Sequence, residues 1–168
     1  MAGKTLQDLF IHELSDIYSA EKQLTRALPK LARASQDPDL AAAFSHHLEE
    51  TQGQVERIDR IVEATGLRLK RMKCAAMEGL IEEGRDVIDE IEQGPVRDAA
   101  LIGAAQKVEH YEIASYGTLC TFVECLEHPD AVKLLKETLE EEKGADRKLN
   151  ELALRRTNEK ASRQGAAR

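Results

Sequence analysis

The sequence contains no tryptophan, and its few phenylalanines and tyrosines make up only 4% of the chain. Sheets are built largely from aromatic and β-branched residues, so little is present from which to assemble one. No apolar run approaches the roughly 20 residues that a membrane-spanning helix requires, and no secretory leader pattern is visible. Cysteine is scarce and odd in number: Cys74, Cys120 and Cys125. Cys120 and Cys125 stand five apart on one expected helix, a poor spacing for a disulfide. Reduced thiols and a cytoplasmic setting are therefore expected. Surplus positive charge is also missing. A net charge of −7 argues against nucleic acid as the main partner and gives no adhesion to anionic membranes.

Strong helix formers are abundant. Alanine, leucine, glutamate and lysine dominate, and charged residues make up 33% of the 168 positions, enough chain for one domain with a sizeable core. Helix A is expected from about Thr5 to Ala34, with Phe10, Leu14, Ile17, Leu24, Leu28 and Leu31 at helical spacing. "SQDPDL" ends it, and Asp37 and Pro38 fit the N-cap and first helical position of helix B. Helix B is expected to bury Phe44, Leu48, Val55, Ile58 and Val62 and to stop at Gly66. Helix C is expected from about Val96 to Leu126, and "EHPD" leads to helix D, opened by Pro129, with Val132, Leu135, Leu139, Leu149 and Ala153 as its stripe.

The connections decide the architecture. A to B and C to D are short, so each pair is expected to form an antiparallel hairpin. B to C spans about 66–95 and carries its own amphipathic stretch near Met77–Ile91. Two hairpins joined by a long, helix-containing crossover define an all-α, ferritin-like four-helix bundle over residues 1–154. An up-down bundle with a helical insertion is the alternative. Residues 155–168, "RRTNEKASRQGAAR", are basic and polar and are expected to form a disordered tail.

Carboxylates interrupt the apolar stripes. Glu21 fills a gap in helix A, Glu112 in helix C, and Glu142 and Asp146 in helix D, with Glu109 one turn before Glu112. Helix B places Thr51 in its central gap, with Glu50 one step round and His47 and Gln54 one turn to either side. "HLEETQGQVERI" (47–58) also aligns without gaps to "TLEEEKGADRKL" (138–149), matching Glu50 with Glu141 and Thr51 with Glu142. The step from Glu21 to Glu50 is 29 residues, as is that from Glu112 to Glu141. Two hairpins related by a pseudo-twofold bring such side chains to one level. A buried carboxylate costs several kcal/mol unless paired, protonated or bound to a cation. Carboxylates converging from separate helices make an oxygen-rich pocket suited to iron, manganese or another divalent ion, whereas oxygen-only ligation does not favour copper or zinc.

Five blocks, "HELSDIYSAEKQLTRALPKLA", "HLEETQGQVERI", "KCAAMEGLIEEGRDVI", "VEHYEIASYGTL" and "TLEEEKGADRKL", resemble, in order, the YciE/YciF-type ferritin-like stress proteins of bacteria. The resemblance covers about residues 5–153. It implies a homodimer, a stress role and a carboxylate site similar to that of rubrerythrin-type di-iron proteins. It also implies Glu21, Glu50, Glu109, Glu112 and Glu141 or Glu142 as ligands. One or two iron or manganese ions per chain and a small oxidant, peroxide or oxygen, complete that expectation, with a di-iron or di-manganese oxidoreductase as its enzymatic form. The departure is that Glu50-x-x-Gly53 and Glu141-x-x-Gly144 replace the usual Glu-x-x-His pairs, leaving His47, Gln54 and Asp146 as substitutes. A bundle that has lost its metal chemistry is the competing reading.

Overall fold

A computed structural model describes residues 4–166, all of whose regular elements are helical. Helix α1 spans Leu6–Ala34, with the Thr5 hydroxyl accepting the Asp8 amide at 3.0 Å as its N-cap. Helix α2 spans Pro38–Thr65, capped by Asp37, which accepts from the Asp39 amide at 2.9 Å. Gly66, with φ +66°, ends it in the left-handed conformation that favours glycine. Helix α3, Ala75–Glu90, lies in the crossover, and α4, Pro95–Cys125, begins the second hairpin. Helix α5 spans Pro129–Leu152.

Helices α1 and α2 pack as one hairpin and α4 and α5 as the other, while α1 meets α4 and α2 meets α5 across the bundle. This is the expected pair of hairpins. Asp98, at the start of α4, locks them together: its carboxylate accepts the amides of Gln36 and Asp37 at 2.8 and 2.9 Å. Helix α3 packs on α1 and α4. Covered by so many neighbours, α4 is buried on several sides, through Leu101, Ile102, Ala105, Val108, Tyr116, Leu119 and Val123.

Two expectations are corrected. Helix α2 buries Leu40, Phe44, His47, Thr51, Gln54, Ile58 and Ile61, whereas Leu48, Val55 and Val62 are only half-buried on its flank. The inward face is thus rotated from the purely apolar stripe and carries polar groups inside. The basic tail is also not irregular. It continues through a π-helical turn, Ala153–Thr157, into α6, Asn158–Ala166, which packs on α4. Burial of Thr157, a Lys160–Asp37 ion pair at 3.3 Å and Gln164 lying against Gly94 hold it there. Residues 167 and 168 of that segment lie outside the described residues. Among the described residues, no helix is long and apolar enough to cross a membrane, and all three cysteines are free thiols.

Candidate metal centre

Four helices deliver polar side chains to one level of the core. Glu21 comes from α1, His47 from α2, Glu109 and Glu112 from α4, and Glu142 from α5; all five are buried. His47, Glu109, Glu112 and Glu142 each place one potential ligand atom within 4.8 Å of the others. The spacing of three between Glu109 and Glu112 sets both carboxylates on one face of α4.

The hydrogen bonding is incomplete in one place. Among the described residues, eight buried side-chain polar atoms lack a partner, and seven of them belong to Glu21, His47, Glu109, Glu112 and Glu142. Neither oxygen of Glu112 or of Glu142 is bonded. Native interiors leave few such groups unpaired, since each costs about 1–3 kcal/mol. Concentrated in one cluster, they match the donor set of a cation.

His47 is prepared for that role. Its Nδ1 lies 3.2 Å from Glu50 Oε2, and its Nε2 faces Glu109 Oε1 at 3.4 Å and Glu142 Oε2 at 3.6 Å. With Nδ1–H donating to Glu50, the Nε2 lone pair points into the cluster, the arrangement by which a carboxylate orients a metal-ligating imidazole. The Thr51 hydroxyl donates to the His47 carbonyl at 2.8 Å, so it satisfies itself within α2.

Electrostatics favour protonation or metal. Burial, reinforced by the charge of Glu142, holds the Glu21 carboxyl well above its usual range. Burial and the neighbouring carboxylates do the same to Glu112. For Glu142, burial prevails over the opposing influence of His47. Glu109 is pushed up to about 8, chiefly by burial. Burial alone lowers the basicity of His47, but its bond to Glu50 and the charges of Glu142 and Glu21 outweigh that and raise it. A metal ligated at His47 Nε2 would displace any proton there.

The remaining candidates stand apart. Glu50 is partly exposed and bonds His47. Arg57 clasps Glu141 with two contacts of 2.6 Å, joined by Gln54 Nε2 at 3.1 Å. Asp146 faces His110 and Gln106 at 3.3 and 3.4 Å. Glu21 is buried beside the four-residue group, with Oε1 accepting from the Tyr116 hydroxyl and Oε2 unpaired. The cluster is not made of oxygens alone, since His47, the less favoured of the candidates, offers a nitrogen to it. Its place was legible only if Thr51 and Gln54 were read as inward-facing, which puts His47 on the same stripe.

Sequence and structure comparisons agree on the family. The family described as Domain of unknown function (DUF892) matches residues 5–162. Protein YciF of Escherichia coli K12 is 65% identical over 162 residues, covering 96% of this chain and 98% of that protein. The crystal structure of the E. coli stress protein YciF superimposes with a TM-score of 0.90, covering 93% of this chain and 99% of its own. YcfI of Rhodopseudomonas palustris is 46% identical with a TM-score of 0.84, over 88% of this chain and 94% of that one. A Xanthomonas campestris protein, 20% identical with a TM-score of 0.68 over 88% of this chain and 89% of its own, shares the fold. The chain therefore belongs to the DUF892 family, and its fold is the ferritin-like bundle of its YciF-type members.

Proposed function

We infer that this protein is a stress-associated metal-binding bundle, in which His47, Glu109, Glu112 and Glu142 hold one divalent ion, iron or manganese, and the buried Glu21 is available to a second. The observation that carries this reading is the concentration of unpaired buried oxygens and the His47 Nε2 at one level of the core. One imidazole with several carboxylates suits iron(II) and manganese(II). Bound there, either metal would supply redox chemistry toward peroxide or oxygen. The chain's own residues do the rest. Glu50 orients His47, and the Tyr116 hydroxyl donates a hydrogen bond to Glu21. The stress role follows the E. coli relative, and the cytoplasmic setting and homodimer implied by the resemblance belong to the same reading.

A purely structural bundle is favoured by one observation: Gly53 and Gly144 stand where a di-iron site places histidines, and Arg57 already neutralises Glu141. Equilibrium dialysis of metal-free protein against iron(II) under anaerobic conditions, or against manganese(II), separates the two. The metal-binding reading expects about one or two ions per chain and reduced loading in Glu112→Ala. No loading of the natural chain supports the structural bundle instead.

A further inference from the structure

A cleft of about 590 Å³ opens between α2 and α5 and ends on His47 and Glu109, two of the buried ligands. Both present an unpaired atom, His47 Nε2 and Glu109 Oε2, and both are more than nine-tenths buried. Small residues make the gap: Ala42 and Ala43 on α2 face Gly144 and Ala145 on α5. A six-coordinate hydrated divalent ion, at about 30 Å³ per water, needs about 200 Å³, which the cleft accommodates.

Glu50 links its two ends. One oxygen bonds His47 Nδ1 at 3.2 Å, and the other lies 3.4 Å from Nε2 of the exposed His46. The outer rim carries Asp39 and Lys148, whose charges offset each other. The inward path is therefore imidazole, carboxylate, imidazole, carboxylate, each able to replace a water on a divalent cation.

We propose that the α2–α5 cleft is the route by which a divalent cation reaches the core, with His46 and Glu50 as its outer capture ligands. This rests on the metal-binding reading above and adds to it a path and two residues. Exchange of hydration waters for these side chains spares the cation a single costly dehydration, because ligands are substituted in turn.

Gly144→Leu tests the route. A Cβ at Gly144 meets only the Arg147 side chain, at 3.9 Å, and leucine is the better helix former, so the variant folds with its side chain in the cleft. Gly79→Leu is the matched control: it is the same change on the exposed face of α3, where a Cβ meets nothing within 4 Å and which does not line the cleft. Manganese(II) uptake is followed by loss of the free-ion paramagnetic resonance signal after rapid mixing. A plugged route slows uptake and release alike, on the order of tenfold, and leaves stoichiometry and affinity unchanged. Gly79→Leu keeps the natural rates, and His46→Ala slows uptake several-fold. Natural rates in Gly144→Leu overturn the route while the metal site stands. A loss of stoichiometry in Gly144→Leu also overturns it, since the residue then acts on the site itself. Failure of the natural chain to take up manganese(II) removes both the route and the reading beneath it.

Discussion

Replacing Glu112 by leucine in the metal-free protein is expected to make it more stable. Glu112 is fully buried, and neither carboxylate oxygen has a partner. Its carboxyl is held well above the usual range, first by burial and then by the charges of Glu142, Glu21 and Glu109. Even when protonated, it leaves buried polar atoms unpaired, at about 1–3 kcal/mol for such a group. Leucine has nearly the same shape and no such penalty, and swapping buried ionic groups for apolar ones is often stabilising by about 1–4 kcal/mol. A gain of about 2 kcal/mol corresponds to about 4–8 °C in Tm for a domain of this size. The order reverses with metal. An ion at 100 times its Kd adds about 2.7 kcal/mol to the natural chain, and the variant, lacking a ligand, gains less. Thermal unfolding of both proteins, with chelator and with manganese(II), gives four Tm values that should cross. A variant less stable than the natural chain in chelator would refute the claim that Glu112 is an uncompensated buried group.

The pH response has the opposite sign from that of an ordinary salt-bridged protein. Glu109 titrates at about 8 in the folded chain instead of 4.5, so folding tightens its proton. Its contribution to stability is fully present below about pH 4.5 and is lost as pH rises to 8, at up to about 1.4 kcal/mol per pH unit. Urea unfolding of metal-free protein at pH 5, 6.5 and 8 should show this decline, and metal should cancel it because ligation takes the deprotonated carboxylates. Asp98→Ala should cost about 2–3 kcal/mol by the same measurement, since it strands two amides at the α1–α2 turn. Glu141→Gln should leave metal stoichiometry unchanged in dialysis, because Arg57 and Gln54 engage both of its oxygens outside the cluster.

The helix ends were legible because the chain marks them chemically: Asp37–Pro38, Gly66 and Pro129 leave the backbone little choice. Glu21, Glu112 and Glu142 were legible because each breaks an otherwise apolar stripe, and all three are buried. His47 was harder to read. Its helix has two competing faces, one apolar at Leu48, Val55 and Val62, the other mixed at His47, Thr51 and Gln54, and packing against α1 and α5 selects the mixed one. Helix α6 was illegible for a related reason. Its sequence is polar nearly all round, and its helicity depends on docking against α4 and on Lys160 meeting Asp37, contacts between positions far apart in the chain. The Asp16–Tyr111–Cys74 hydrogen-bond chain, which ties α1, α4 and the start of α3, also has no local signature.

The most direct test is a crystal of the native protein soaked in manganese(II), with anomalous difference density collected to locate the ion. A peak within bonding distance of His47 Nε2 and of oxygens from Glu109, Glu112 and Glu142 is the expected result. Density in which those oxygens contact only water or one another, with no anomalous signal in the bundle, would contradict it.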